Sequence, residues 1–193
     1  MPKSEVGTFS PTNRTDWRNW LKKNHRSKQS VWLVYFKSST KIPSITWSEA
    51  VDEALCFGWI DSTKKAVDEE RYMQYFTQRK PNSIWSQINK EKVAKLIQKK
   101  LMTKAGLETI EIAKRNGSWT KLDEVEALVI PDDLKEQLRQ YEHATQYFEK
   151  LSKSNKKRLL YWVFSAKRSE TRHKRIDEIV QSASQGQMPQ QFR

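Results

Sequence analysis

The chain has 193 residues, with 36 Lys and Arg against 23 Asp and Glu, a net charge of +13. That length suits one domain or two small ones. Hydrophobic residues make up only 36%, but 8 Trp, 7 Phe and 6 Tyr supply large rings to bury, which excludes a disordered chain.

No apolar run is long enough for a transmembrane helix, so no membrane span is expected. The opening residues, Met1 to Gly7, have no apolar stretch of the secretory kind. The single Cys excludes an internal disulfide framework, and a reducing, cytoplasmic location is the expectation.

The first dozen residues carry little pattern and are expected to form a loose arm. Trp17, Trp20, Leu21 and Asn24 then fall at helical spacing behind the cap candidates Thr12 and Asn13. Val31 to Phe36 is β-branched and aromatic, and predicts a buried strand. Thr46-Trp47-Ser48-Glu49 is a capping box, with Ala50, Val51, Ala54 and Leu55 as the apolar stripe behind it. Gly58 stands where a glycine ends such a helix. Trp59 to Ala66 and Arg71 to Thr77 predict a hairpin turning at Val67 to Glu70. Tyr72, Gln74 and Phe76 should share one face of the second strand.

From Ser83 onward the pattern is helical. Ser83 is expected to cap the helix through Trp85, Val93 and Leu96. Thr103 should cap the next, with Leu107, Ile110 and Ala113 inward. Further apolar stripes run through Leu134, Leu138 and Tyr141, through Ala144 and Phe148, through Leu159 and Val163, and through Ile176 and Val180. The tail from Ser184 is polar and is expected to fray. The fold class is therefore α+β: a small, largely antiparallel sheet packed with helices, then an all-helical C-terminal domain. The expected division is 1–123 and 124–193.

The chain has no GxGxxG, Walker A, HExxH or GxSxG motif, and no Cys/His set with zinc spacing. No cofactor, metal site or catalytic residue is therefore assigned. Cys56 ends a helix, where the dipole disfavours a thiolate, and reads as a small core residue.

Two arrangements remain. Arg79 and Lys80 precede the expected helix start at Ser83, whose free amides favour an anion. Arg71 and Asp61 on the hairpin, Trp59 and Trp85 as walls, and Asn89 in the first turns complete a candidate pocket. An anionic small molecule or an acidic peptide is the expected partner. A capping serine, a core tryptophan and surface ion pairs would account for the same residues without a ligand.

The second arrangement is electrostatic. Arg79 to Lys104 carries 8 basic residues and one acid, and Thr145 to Arg175 carries 10 basic and 2 acidic residues. Lys156, Lys157, Arg158, Lys167, Arg168, Arg172, Lys174 and Arg175 form the densest run, around Tyr161 and Trp162. That composition suits nucleic acid, or simply a solvated face. A third reading, an enzyme of an unusual class using Asp61, lacks a second carboxylate or a nucleophile–base pair nearby.

Four segments resemble the YdeI/OmpD-associated family, also called bacteriocin-protection proteins. They are Ala50-Val51-Asp52-Glu53-Ala54-Leu55-Cys56-Phe57-Gly58-Trp59-Ile60-Asp61-Ser62, then Arg79-Lys80-Pro81-Asn82-Ser83-Ile84-Trp85-Ser86 with Asn89. Met102-Thr103 with Ala105-Gly106-Leu107, and Ala166-Lys167-Arg168 through Arg175-Ile176, are the others. The likeness runs from about Thr8 to Ser184. It departs at Gln78, where the family usually has Pro, and at Lys100, Leu101 and Lys104. The resemblance implies a role in resistance to bacteriocins or envelope stress. It supplies no reaction, cofactor or catalytic residue.

Overall fold

The computed structural model describes residues 6–193. It divides into a first compact unit that ends at Thr120 and a second, Lys121–Arg193. Each has its own buried cluster.

The first unit holds a four-stranded mixed sheet in the order β1-β2-β4-β3. β1 is Thr8–Phe9, β2 Ser30–Phe36, β3 Trp59–Ala66 and β4 Arg71–Gln78. β4 runs antiparallel to both β2 and β3, while β1 lies parallel to β2. The parallel pair needs a crossover, which α1 (Arg14–Asn24) supplies. The loose arm expected over the first dozen residues is therefore corrected at Thr8 and Phe9. Phe9 is tied down by rings, 6.2 Å from Trp17 and 5.8 Å from Trp20. Residues 1–5 lie outside the described residues.

Alternation sets the faces of the sheet. Val31, Leu33 and Tyr35 of β2 and Gln74 and Phe76 of β4 are buried, each two residues from the next. Trp17 and Leu21 of α1 and Ala50, Val51, Ala54 and Leu55 of α2 (Trp47–Cys56) join the same core. The capping box of α2 is formed in full: Thr46 Oγ1 accepts from the Glu49 amide, and Glu49 accepts from the Thr46 amide at 3.0 Å. Glu53 is buried, and its carboxylate meets Arg14 and Arg18, each at 2.5 Å.

Gly58 ends α2 with φ +74°. The residue there must take a left-handed conformation, which glycine adopts without penalty. Two more helices complete the unit, α3 (Gln87–Gln98) and α4 (Lys104–Arg115). Thr103 caps α4, and its amide and hydroxyl both donate to the Cys56 carbonyl, at 3.0 and 2.7 Å. Two expectations fail here. Leu107 points outward and is exposed, so the inward positions of α4 are Gly106, Ile110 and Ala113. The cap of α3 is Ser86, not Ser83.

The second unit is all helical: α5 (Asp123–Glu126), α6 (Asp132–Arg139), α7 (Glu142–Lys150), α8 (Lys153–Phe164) and α9 (Ser169–Ser184). Leu134, Phe148, Leu159, Leu160, Val163 and Ile179 form the centre of its core. Tyr141 is exposed and precedes α7 rather than entering that core. The tail does not fray as expected from Ser184. Gln190–Phe192 makes a 3-10 turn, and Phe192 meets Trp162 edge-on at 5.4 Å.

Candidate functional site

Arg79 follows β4 directly, and its amide donates to the Gly58 carbonyl at 2.9 Å. That bond ties the end of the sheet to the end of α2. Its guanidinium is drawn inward, and the residue is 9% exposed. The guanidinium carbon sits 3.6 Å from the centroid of the Trp85 ring, which is itself buried. A ring face attracts a cation, most strongly where water is excluded. It does not replace a carboxylate.

No carboxylate reaches Arg79 among the described residues, and its Nε is buried with no hydrogen-bond partner. Burial pushes its pKa down to about 10, against a smaller opposing pull from Asp61. The group remains cationic at neutral pH. A buried, charged and unpaired donor is costly to hold.

Arg79 is one of the residues that line a cavity of about 300 Å³. Trp59 and Gln78 form its sheet side, His25 and Arg26 come from the end of α1, and Glu108 and Thr109 come from α4. The indole of Trp59 is locked by a bond to the His25 carbonyl at 3.2 Å, and Gln78 Nε2 donates to the same carbonyl at 2.8 Å. The walls are thus fixed before any ligand arrives. Glu108 is the one acid on the lining, and it pairs at 4.0 Å with the exposed Lys104 rather than with Arg79.

The structure brings only part of the expected pocket together. Trp59 lines the cavity with Arg79, and Trp85 stacks on Arg79 without lining the cavity. Arg71 does neither: it sits at the opposite end of β4, about 27 Å from Arg79 at ~3.4 Å per residue. There its guanidinium binds Asp68 in the hairpin turn, at 2.6 Å. Asp61 lies opposite Phe76 on β4 and accepts from Trp47 Nε1 and Gln74 Nε2, both at 2.9 Å. Lys80 is exposed.

Ser83 starts no helix. Its amide closes a turn onto the Lys80 carbonyl at 2.9 Å, and the free helical amides expected there do not exist. Asn89 lies in the first turn of α3, where its amide meets Ser86 Oγ at 3.4 Å. The candidate pocket therefore rests on the buried arginine and not on a helix terminus. His25, Glu108 and Thr109 gave no local signal. The glycine pair Gly58 and Gly106 was the available clue that α4 lies against this corner.

The C-terminal basic run is largely engaged within its own unit. Arg172 holds Asp133 through two bonds, at 2.6 and 2.9 Å. Lys157 pairs with Glu126 at 2.5 Å and Lys174 with Glu170 at 2.7 Å. Lys156 donates to the Glu149 carbonyl, and Arg175 to the Trp162 carbonyl. Arg158 lies over Phe192, 4.8 Å from its centroid. Lys167 and Arg168 remain. Three of the eight residues thus meet a carboxylate, while Lys156, Arg158 and Arg175 are positioned by carbonyls or a ring without being neutralised.

Among the described residues, no three His, Cys, Asp or Glu side chains are placed to hold a metal ion. No described helix is long and apolar enough to cross a membrane.

An α+β unit carrying a buried arginine, followed by a helical unit, defines the class of protein. Two family models divide the chain along similar lines. Residues 9–109 match the family described as Domain of unknown function (DUF8412), and residues 127–186 match Bacteriocin-protection, YdeI or OmpD-Associated. The first match spans 109 − 9 + 1 = 101 of 193 residues, so the chain belongs to the DUF8412 family. The bacteriocin-protection match falls within the second unit. No curated protein and no solved structure matches the chain.

Proposed function

We propose that the protein is a cytoplasmic binding module, with domains at 1–123 and 124–193, that captures a small anion at Arg79. The observation that carries this reading is an arginine, 9% exposed and with no hydrogen-bond partner for its Nε, on the lining of a cavity with pre-set walls. A carboxylate or phosphate oxygen would satisfy its free donors with charge-assisted hydrogen bonds, which are about twice as strong as neutral ones. The cavity is small, so the ligand is a small molecule or one acidic side chain of a peptide. The bacteriocin-protection description of residues 127–186 supports a role in surviving bacteriocin exposure. The anion would be the signal or the cargo in that role.

Thermal shift at constant ionic strength tests the proposal, with phosphate, pyrophosphate, acetate and succinate as probes and chloride as control. A ligand at a hundred times its Kd stabilises by ~2.7 kcal/mol. At least one probe should raise the wild-type Tm and leave Arg79→Ala unmoved. If no anion distinguishes wild type from Arg79→Ala, the cavity is not an anion site.

A further inference from the structure

A larger cavity lies elsewhere in the first unit. It measures about 730 Å³, between the start of α2 and the far end of the hairpin. That volume is within the range of small-molecule sites. Its apolar lining includes Phe36, Ile42, Trp47 and Tyr72, and its cations are Lys37 and Lys64.

Two of these rings are held in place by the core behind them. Tyr72 is stacked on the fully buried ring of Tyr35, with centroids 4.8 Å apart and planes 3° from parallel. Trp47 is 47% exposed, an unusual position for so large a ring. Its Nε1 is nevertheless fixed on Asp61 at 2.9 Å. Asp61 is fixed in turn by Gln74, which is buried and also donates to the Ser62 carbonyl at 2.9 Å. An indole anchored at its nitrogen presents a rigid apolar face to the cavity.

The charged residues that line the cavity, Lys37 and Lys64, are both cations. Lys64 Nζ lies 4.3 Å from the Tyr72 centroid and meets no carboxylate among the described residues. Lys37 Nζ donates to the carbonyls of Asp68 and Glu69, so its charge is positioned and not neutralised. The hydroxyls of Ser38, Ser39 and Thr46 complete the rim. No acidic residue lines this cavity.

We propose that this cavity is a second binding site, separate from Arg79, for a small aromatic molecule bearing a carboxylate. The planar part stacks on Trp47 and meets the edge of Tyr72, whose ring already carries Tyr35 and the Lys64 ammonium, and the carboxylate meets Lys64. Stacking supplies the contact area, and the unpaired ammonium selects the acid over a neutral ring.

2-Naphthoate and 2-naphthylmethanol are matched probes, one charged and one neutral. Titration followed by two-dimensional NMR of the full chain reads both the affinity and the Trp47 indole N–H. The acid should bind at least tenfold more tightly than the alcohol and shift that N–H saturably. Lys64→Gln should remove the tenfold preference. Tyr72→Ala and Trp47→Ala should weaken the acid at least tenfold. Should Trp47→Ala unfold, Trp47→Phe keeps a ring, loses the Asp61 bond and should weaken the acid by a smaller factor. Equal affinity of acid and alcohol for the wild type overturns the proposal. So does an unmoved Trp47 signal at saturation, or wild-type affinity in folded variants of Trp47 and Tyr72.

Discussion

Gly106 lies so close to Cys56 that a Cβ built on it would stand 2.3 Å from the Cys56 carbonyl oxygen. The same oxygen accepts both bonds from Thr103. α4 is therefore seated on the last turn of α2 by backbone contact, and no side chain can move aside. Gly106→Ala must push the two helices apart. It is expected to cost ~1–3 kcal/mol, the usual range for an overpacked core. Urea unfolding of the pair gives this difference directly. A midpoint within experimental error of wild type would show that α4 does not pack there.

Arg79 makes the opposite prediction. A guanidinium that holds a fold together is paired, and removing it destabilises. This one is buried without a carboxylate, so Arg79→Met keeps the packing on Trp85 and removes an uncompensated charge. The ligand-free variant is expected to match wild type or exceed it by ~1 kcal/mol, as when buried charges give way to apolar side chains. It should also lose the anion response. Calorimetry with and without phosphate checks both halves. A loss of several kcal/mol would assign Arg79 a structural role.

Asp133 and Arg172 supply the pH dependence. The hydrogen bonds from Arg172 hold the Asp133 carboxyl below the usual carboxylate range. A depressed acid contributes stability above its unfolded pKa and loses it as pH falls through the folded value. Wild type and Asp133→Asn should therefore differ near neutral pH and converge in acid, below about pH 4. Both groups are partly exposed, so the gap at pH 7 should be ~1 kcal/mol or less. Melting temperatures from pH 7 to pH 2 measure it. A gap that widens in acid contradicts the pairing.

The capping box offers a local test. Thr46→Ala removes the acceptor for the Glu49 amide. A loss of ~1 kcal/mol is expected. Thr46→Ser should keep most of the cap, since it retains the hydroxyl. Denaturant midpoints of the two variants separate the cap from the lost methyl.

Elements with local signatures were legible in the sequence. The box at Thr46 and Glu49, the glycine at 58 and the β-branched and aromatic run from Val31 to Phe36 each depend on residues close together in the chain. They landed where the structure has them. Ser83 failed for a local reason of a different kind. Ser83 and Ser86 stand three residues apart, and either could cap the helix that contains Val93 and Leu96. The turn that bonds the Ser83 amide to Lys80 decides between them, and no periodicity reports it.

The site was harder to read. Arg79 and Trp85 are close in sequence, and their stacking was within reach. His25, Glu108 and Thr109 arrive from segments far from Arg79, placed by the Gly58 and Gly106 contacts. Grouping Arg71 with Arg79 was an avoidable error. Eight residues of extended chain separate them, and strand geometry alone keeps their charges apart.

The two buried clusters share no residue, the first ending at Ala113 and the second beginning at Val125. All four strands are complete by Gln78. On the ribosome, this order separates the two folding problems in time. The 193 − 120 = 73 residues after Thr120 take several seconds to emerge at ~5–20 residues per second. Small mixed domains fold within milliseconds to seconds. The sheet, with its slow non-local pairing, thus has time to close over its own rings while the basic helices of the second unit are still being made.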